Sequence, residues 1–193
     1  ATRDLGLDTV EVVRDKRGFI QTDAFMQTAT VRLYAIGDIV PTPQLAHVAS
    51  HEGLIAAGHA AGQPVPPVRY DRVPSCVYSH PEVASIGLTE RQAAAAGFEV
   101  NTGRIPFAAL GKASILGEPQ GFVKVVSEVG TGRALGAHMV GPRVTELIAG
   151  AATALGFEAD LDRWSEVIHP HPTLSEAVGE AVLSAAGRPL HGG

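Results

Sequence analysis

The first third of the chain combines short apolar runs with one segment of small residues. Residues 19–22 and 31–36 are strand-forming runs bounded by turn-forming residues, which predicts two strands. Residues 44–62 are rich in Ala and Gly and predict a helix whose small side chains allow a neighbouring element to approach closely. The pattern predicts strand, turn and helix in succession.

A Gly- and Pro-rich segment, residues 62–67, interrupts this pattern. Such a composition is typical of a linker, and the hydrophobic pattern changes beyond it. We therefore predict two parts, residues 1–64 and residues 65–193.

The second part begins with runs of strand-forming residues separated by turn residues. These runs predict strands at 73–78, 83–88, 98–107, 122–126 and 135–140. The last two are joined across a turn at 130–132. Thr89-x-x-Gln92 is a capping box that opens a short helix, and Gly97 ends it.

Helical patterns dominate the end of the chain. Apolar residues recur at i, i+3, i+4 and i+7 in residues 144–155 and again in 174–185, and a shorter helix is predicted at 160–167. Strands clustered before helices predict an α+β fold, in which helices flank an antiparallel sheet and cover one of its faces.

Composition narrows the classes of function. A net charge of −5 with scattered basic residues does not provide the positive stripe that nucleic acid requires, and no apolar run is long enough to span a membrane. The single cysteine, Cys76, cannot form an internal disulfide, which favours a reducing compartment, and we expect a cytoplasmic protein. Cys76 lies in an apolar run and is interpreted as a small buried side chain.

The densest cluster of reactive side chains is the run HPHPTLSE at residues 169–176. Two prolines limit the freedom of the backbone, and an imidazole transfers protons readily near neutral pH. Glu176 can accept a hydrogen bond from His171 and fix its tautomer. Three alternatives remain at this point. Thr173-x-x-Glu176 is also a capping box, the histidines can be ordinary loop residues, and a metal site would need ligands that are not found nearby.

A second candidate site is the run YAIGD at residues 34–38, followed by QLAH at 44–47. An aspartate at the end of a strand, close to a helix N-terminus, can bind ribityl, ribose or phosphate groups. The candidate cofactor-binding residues are Asp38, Gln44, Leu45, Ala46 and His47. The alternative for Asp38 is a capping residue in a tight turn.

Taken together, the two sites resemble the C-terminal part of the flavin-dependent pyridine nucleotide–disulfide oxidoreductases, and most of all the dihydrolipoamide dehydrogenases. The similar segments, in order, are the exit from the NAD-binding domain (TRDLGL, 2–7), the second flavin motif (LYAIGD, 33–38), the opening of the interface domain (VPSCVYSHPEVA, 73–84), its central hairpin (GFVKV, 121–125, and LGAH, 135–138) and HPHPTLSE. The last is the most specific. Glutathione and trypanothione reductases usually have Ser where Leu174 stands, and mercuric reductases end in a cysteine pair that is absent here.

The resemblance implies a fold, cofactors and partners. Residues 65–193 would be the interface, or dimerisation, domain, and residues 1–64 a remnant of the α/β FAD- and NAD-binding region. His171, oriented by Glu176, would take a proton from dihydrolipoamide, and electrons would pass through a disulfide and FAD to NAD+. We prefer His171 to His169 as the base because His171 matches the family motif His-Pro-Thr-x-x-Glu.

Partners implied by the same resemblance are a second copy of the chain, a lipoyl domain of an acyltransferase or H-protein, and an acyltransferase subunit-binding domain. The family's Gly-x-Gly-x-x-Gly flavin fingerprint, its redox cysteine pair and its NAD loop have no counterpart here, so the chain resembles the last part of such an enzyme. Alternatives are a non-catalytic dimerisation and docking module, or another flavin disulfide reductase such as glutathione reductase.

Overall fold

The computed structural model describes residues 5–191. The chain divides into two compact units, one ending at Tyr70 and the other starting at Asp71. Residues 1–4 lie outside the described part, and with them the first half of the segment at 2–7 that resembles the exit from an NAD-binding domain. No helix among residues 5–191 is long and apolar enough to cross a bilayer.

The main element of the first unit is helix α1, Ala46–Ala60. It confirms the helix predicted at 44–62. Its buried residues are Val48, Glu52, Ile55 and Ala56, which lie on one face of the helix. A short 3-10 turn, Gly37–Ile39, precedes it and packs against it.

The two strands predicted at 19–22 and 31–36 are wrong. Ile20 forms a single bridge with Arg14, and Tyr34 forms a single bridge with Gln27. A strand persists only where a neighbouring strand supplies a continuous ladder of hydrogen bonds, and no such ladder forms in residues 5–70. The apolar residues of these runs still contribute to a small core of Ile20, Ala35 and Val40.

The second unit contains a five-stranded sheet. Its strands are β1 Ser75–Val77, β2 Glu82–Gly87, β3 Val100–Pro106, β4 Phe122–Glu128 and β5 Ala134–Gly141. The order across the sheet is β1-β2-β5-β4-β3, and every neighbouring pair is antiparallel. This confirms the predicted antiparallel sheet.

The helices of this unit are α2 Glu90–Ala95, α3 Gly111–Leu116, α4 Val144–Gly156, α5 Leu161–Ser165 and α6 Glu176–Ala185. Helices α4 and α6 cover one face of the sheet. Helix α2 lies on the other face, where Ala93 packs against Val126 and Leu135 and Glu90 forms an ion pair with Lys124. The capping box of α2 forms as predicted, with the Thr89 and Gln92 side chains each bonded to the other's backbone N–H. Helix α3 was not predicted, because it is a short segment without an apolar period.

The main core lies between the sheet and helices α4 and α6. Strands β2, β4 and β5 each contribute alternate side chains to it, and both helices contribute one apolar face. Gly103 of β3 lets α6 approach closely, since a Cβ there would lie 2.0 Å from the Ala181 carbonyl oxygen. This contact fixes the helix that begins with Glu176. Cys76 is partly buried against the same core.

Candidate functional site

His171 and Glu176 form a hydrogen-bonded pair at the start of α6. His171 Nδ1 lies 2.8 Å from Glu176 Oε1, although five residues separate them in the chain. The histidine side chain is 76 % exposed and the glutamate side chain 21 % exposed. The loop between α5 and α6 therefore presents an imidazole to solvent, with a sheltered carboxylate behind it. The His171–Pro172 peptide bond in this loop is cis.

The carboxylate determines the tautomer of the imidazole. An ionised carboxylate only accepts hydrogen bonds, so His171 Nδ1 carries the proton that it donates to Glu176. The other ring nitrogen, Nε2, has no hydrogen-bond partner among residues 5–191, and in the neutral imidazole it carries the lone pair. The pair thus has the geometry of a general base oriented by an acid.

Glu176 is held in its ionised form by the same contacts. Partial burial would raise its pKa, but hydrogen bonds from the Thr173 N–H and from His171 outweigh burial and leave the pKa below its ordinary range. The Thr173 N–H donates to Glu176 Oε2 at 2.8 Å. Each carboxylate oxygen therefore has its own donor.

The predicted capping box at Thr173-x-x-Glu176 forms only in part. Glu176 accepts the Thr173 N–H, but the Thr173 hydroxyl bonds to the Pro170 carbonyl oxygen and to the Ser175 hydroxyl instead of to the helix. No side chain caps α6. Glu176 therefore combines a structural contact with its contact to His171.

His169 has a different environment from His171. Its ring packs against Gly179 of α6, where a Cβ would lie 2.7 Å from His169 Cδ2. Its Nε2 is buried and has no hydrogen-bond partner in the described part of the chain. Burial lowers the pKa of His169, so the ring is neutral at neutral pH. The exposed base of this loop is therefore His171, and His169 packs the loop onto the helix.

The candidate cofactor-binding residues lie together in the first unit. Asp38 is exposed in the Gly37–Ile39 turn, and its carbonyl oxygen accepts a hydrogen bond from Gln44 Nε2 at 3.3 Å. Leu45 precedes α1, and Ala46 and His47 form its first turn. No side chain caps the N-terminus of α1. A carboxylate with no ion pair in residues 5–191, beside an uncapped helix N-terminus, suits a ligand that carries hydroxyl and phosphate groups.

Two buried acidic residues were not predicted from the sequence. Glu52 of α1 is fully buried and accepts hydrogen bonds from the Gly37 N–H and the Tyr70 hydroxyl. Glu180 of α6 is 5 % exposed and accepts from His191 Nδ1 and from the N–H groups of Leu190 and His191. The available signal was their position on the apolar face of each helix, where charged residues are rare.

Metal ligation finds no support in the described residues. Within 5–191, no group of three or more His, Cys, Asp or Glu side chains is arranged to hold a metal ion. Burial, with the nearby Glu82 and Glu146, raises the pKa of the Cys76 thiol.

Comparison with known proteins identifies the family. Residues 73–182 match the family described as pyridine nucleotide-disulphide oxidoreductase, dimerisation domain, and residues 1–53 match the one described as pyridine nucleotide-disulphide oxidoreductase. The chain belongs to the pyridine nucleotide-disulphide oxidoreductase family, which confirms the resemblance drawn from its motifs.

Individual relatives point within this family to one enzyme. The chain is 48 % identical to dihydrolipoyl dehydrogenase of Bacillus subtilis over 97 % of its own length and 39 % of the relative's. It is 47 % identical to the Rhizobium etli dihydrolipoyl dehydrogenase, with the same coverage of both. The crystal structure of LpdA from Mycobacterium tuberculosis superposes with a TM-score of 0.89 at 29 % identity, covering 94 % of this chain and 39 % of that one. The chain thus spans about two fifths of the length of these relatives.

Proposed function

We propose that the chain is the C-terminal part of a dihydrolipoyl dehydrogenase, a flavoenzyme that reoxidises dihydrolipoamide with NAD+. The observation that carries this proposal is the exposed His171 imidazole, hydrogen-bonded at 2.8 Å to the carboxylate of Glu176. The relatives named dihydrolipoyl dehydrogenase support the choice of substrate, because they match almost the whole chain.

His171 acts as the base toward a thiol of dihydrolipoamide. The S–H bond breaks, and its proton moves to the Nε2 lone pair, which leaves a thiolate. A thiolate is the form that attacks a disulfide, since the neutral thiol is a poor nucleophile. The attack forms a mixed disulfide and expels one cysteine thiolate of the enzyme disulfide. The protonated His171 passes its proton to the expelled cysteine thiolate and then takes the proton of the second substrate thiol. The thiolate so formed attacks the substrate sulfur of the mixed disulfide, which breaks that S–S bond, expels the second cysteine as a thiolate and closes the lipoamide ring.

Glu176 supports the charge that this step creates. Once Nε2 is protonated the imidazole is positive, and the adjacent carboxylate stabilises it through the Nδ1 hydrogen bond. The Thr173 N–H holds the second oxygen of Glu176 and so prevents the carboxylate from rotating away. The pair is oriented before substrate arrives.

FAD is the proposed cofactor of the first unit, with Asp38 and residues 44–47 as its contacts. Bound FAD would supply the acceptor for the two electrons of the enzyme dithiol and hand them to NAD+. The chain's own part is binding. The Asp38 carboxylate accepts hydrogen bonds from hydroxyl groups, and the N-terminus of α1 favours phosphate.

A homodimer completes the proposed site. In the family that the chain resembles, the base of one subunit acts at the redox disulfide of the opposite subunit. Val167 and Ile168, directly before His169, are 53 % and 94 % exposed. Apolar residues so exposed beside a reactive loop favour a second copy of the chain as their cover. The substrate would arrive on a lipoyl domain of an acyltransferase or H-protein.

The test uses the full-length protein that contains this chain. We expect purified protein to carry FAD, to sediment as a dimer, and to reduce NAD+ with dihydrolipoamide. A parallel assay measures NADPH oxidation with oxidised glutathione, and we expect little activity there. Preference for glutathione, or absence of dithiol-dependent NAD+ reduction in a flavin-loaded dimer, would contradict the proposed function.

A further inference from the structure

A fully buried carboxylate connects three segments of the first unit. Glu52 lies in the middle of α1, and its exposed fraction is 0 %. Its Oε2 accepts the Gly37 N–H at 2.7 Å, and its Oε1 accepts the Tyr70 hydroxyl at 2.8 Å. Gly37 precedes the helix in the chain and Tyr70 follows it. One side chain therefore joins the turn before α1, the helix itself and the segment after it.

Burying a carboxylate at this position has a large desolvation cost. The rest of the buried face of α1 consists of Val48, Ile55 and Ala56, and an apolar residue would pack there without removing a carboxylate from water. Both Glu52 oxygens have a donor, which compensates part of that cost. Burial, and then the hydrogen bond to Glu52, raise the pKa of Tyr70, so its hydroxyl keeps the proton that it donates. The groups held by Glu52 explain why a carboxylate is present.

The most important of the groups bound by Glu52 is the backbone N–H of Gly37, the residue directly before Asp38. Gly37 has a φ of +71°, in the left-handed region that favours glycine, and it directs the chain into the Gly37–Ile39 turn. The turn is also packed closely against α1, since a Cβ on Gly37 would lie 3.2 Å from the Ala49 Cβ. Glu52 holds the Gly37 N–H, and Gly37 packs closely against Ala49 of α1. The turn therefore has little freedom to reorient Asp38.

We propose that Glu52 is a positioning residue for FAD, which holds the Gly37–Ile39 turn against α1 so that the exposed Asp38 carboxylate is placed to accept hydrogen bonds from the cofactor's hydroxyl groups. This inference rests on the proposed function, because it takes Asp38 as a cofactor contact. Glu52 acts through the turn and does not itself contact the cofactor. Its contribution is preorganisation, since a turn that is already ordered loses less entropy on binding.

The experiment measures FAD affinity in the full-length protein after removal of its flavin. Apoprotein is titrated with FAD for wild type and for Glu52→Ala, Glu52→Gln and Tyr70→Phe. We expect Glu52→Ala to raise the Kd for FAD by about tenfold or more, which corresponds to about 1.4 kcal/mol. Glu52→Gln should stay close to wild type, because the amide oxygen accepts the Gly37 N–H and the amide can donate to the Tyr70 oxygen. Tyr70→Phe should fall between the two.

Two further measurements separate positioning from general stability. Thermal unfolding of each apoprotein reports stability, and Glu11→Ala, which removes an exposed carboxylate of the same unit, should bind FAD like wild type. At saturating FAD, the Glu52 variants should reduce the enzyme disulfide with dihydrolipoamide at the wild-type rate, since the His171 pair lies in the other unit.

Unchanged FAD affinity in Glu52→Ala would overturn the inference, whatever happens to its thermal stability. If Glu52→Ala does not fold, wild-type affinity in Tyr70→Phe would overturn it in the same way. A wild-type protein that binds no FAD would contradict the proposed function, and with it the role given to Glu52.

Discussion

Glu176 holds His171 and the Thr173 backbone at the same time, one with each carboxylate oxygen, both at 2.8 Å. The base of the proposed reaction is therefore coupled directly to the start of α6. Because Gly103 lets α6 lie close against the sheet, the orientation of the imidazole depends on the core of the second unit.

Loss of the base should affect chemistry and leave binding intact. In the full-length enzyme, His171→Gln should lower the rate of disulfide reduction by dihydrolipoamide by about 10² to 10⁴, the usual contribution of a general base. Stopped-flow measurement of this half-reaction tests the value, with FAD content and circular dichroism as controls. The assignment fails if His169→Gln is the more damaging change.

Removal of the supporting charge should have a smaller effect. Glu176→Gln keeps an oxygen that can accept the Nδ1 hydrogen bond but loses the negative charge that stabilises the imidazolium. We expect the half-reaction to slow by about tenfold, or roughly 1.4 kcal/mol of transition-state stabilisation. A loss as large as that of His171→Gln would indicate that Glu176 does more than orient and support the base.

His169 should make the second unit sensitive to acid. Its pKa is lowered by burial, with Glu176 opposing that shift, whereas in the unfolded chain it has the ordinary value of about 6.5. Below that pH the unfolded state binds a proton that the folded state resists. The free energy of unfolding should therefore fall as the pH drops from about 6.5 toward the pKa of His169 in the folded state. Above about pH 6.5 the ring is neutral in both states, so His169 should have no effect on the pH dependence of stability. Denaturant unfolding of wild type and His169→Gln over this pH range tests the prediction; identical slopes would contradict it.

Gly179 should resist substitution because of His169. Gly179→Ala places a Cβ 2.7 Å from His169 Cδ2, whereas Gly150→Ala on α4 meets nothing within 4 Å. Both changes gain about 1 kcal/mol in helix propensity, so Gly150→Ala calibrates that gain. We expect Gly179→Ala to be less stable than Gly150→Ala by about 1 to 3 kcal/mol, the usual cost of overpacking. Equal free energies of unfolding would show that the His169 ring moves aside freely.

The isolated chain should hold FAD poorly. Asp38 and residues 44–47 provide contacts for only part of a dinucleotide, and the flavin fingerprint Gly-x-Gly-x-x-Gly has no counterpart in the sequence. Purified chain dialysed against FAD should show little flavin absorbance. Tight, stoichiometric retention would show that this part of the protein is a sufficient binding site.

Several features followed from the sequence because their signals are local. The strands β1 to β5 and the helices α4 and α6 have the apolar periods of half-buried elements, and the side chains that cap α2 are three residues apart. The motif HPHPTLSE likewise pointed to His171 and Glu176, since the two residues lie within one short loop and the first turn of a helix. Local spacing was sufficient for the helices and strands, whereas the choice of His171 over His169 came from the family motif His-Pro-Thr-x-x-Glu.

Other features were decided by contacts between distant segments. The runs at 19–22 and 31–36 have strand-forming residues but lack a neighbouring ladder, so they form only single bridges. The pattern of residues 169–171 does not indicate which histidine is exposed: the His169 ring is partly buried against Gly179, whereas the His171 side chain is 76 % exposed. Glu52 bonds to groups 15 and 18 residues away, which no local period encodes. The sequence by itself determined where apolar faces and turns occur; the tertiary structure decided which polar groups are buried together, because that depends on how separate segments pack.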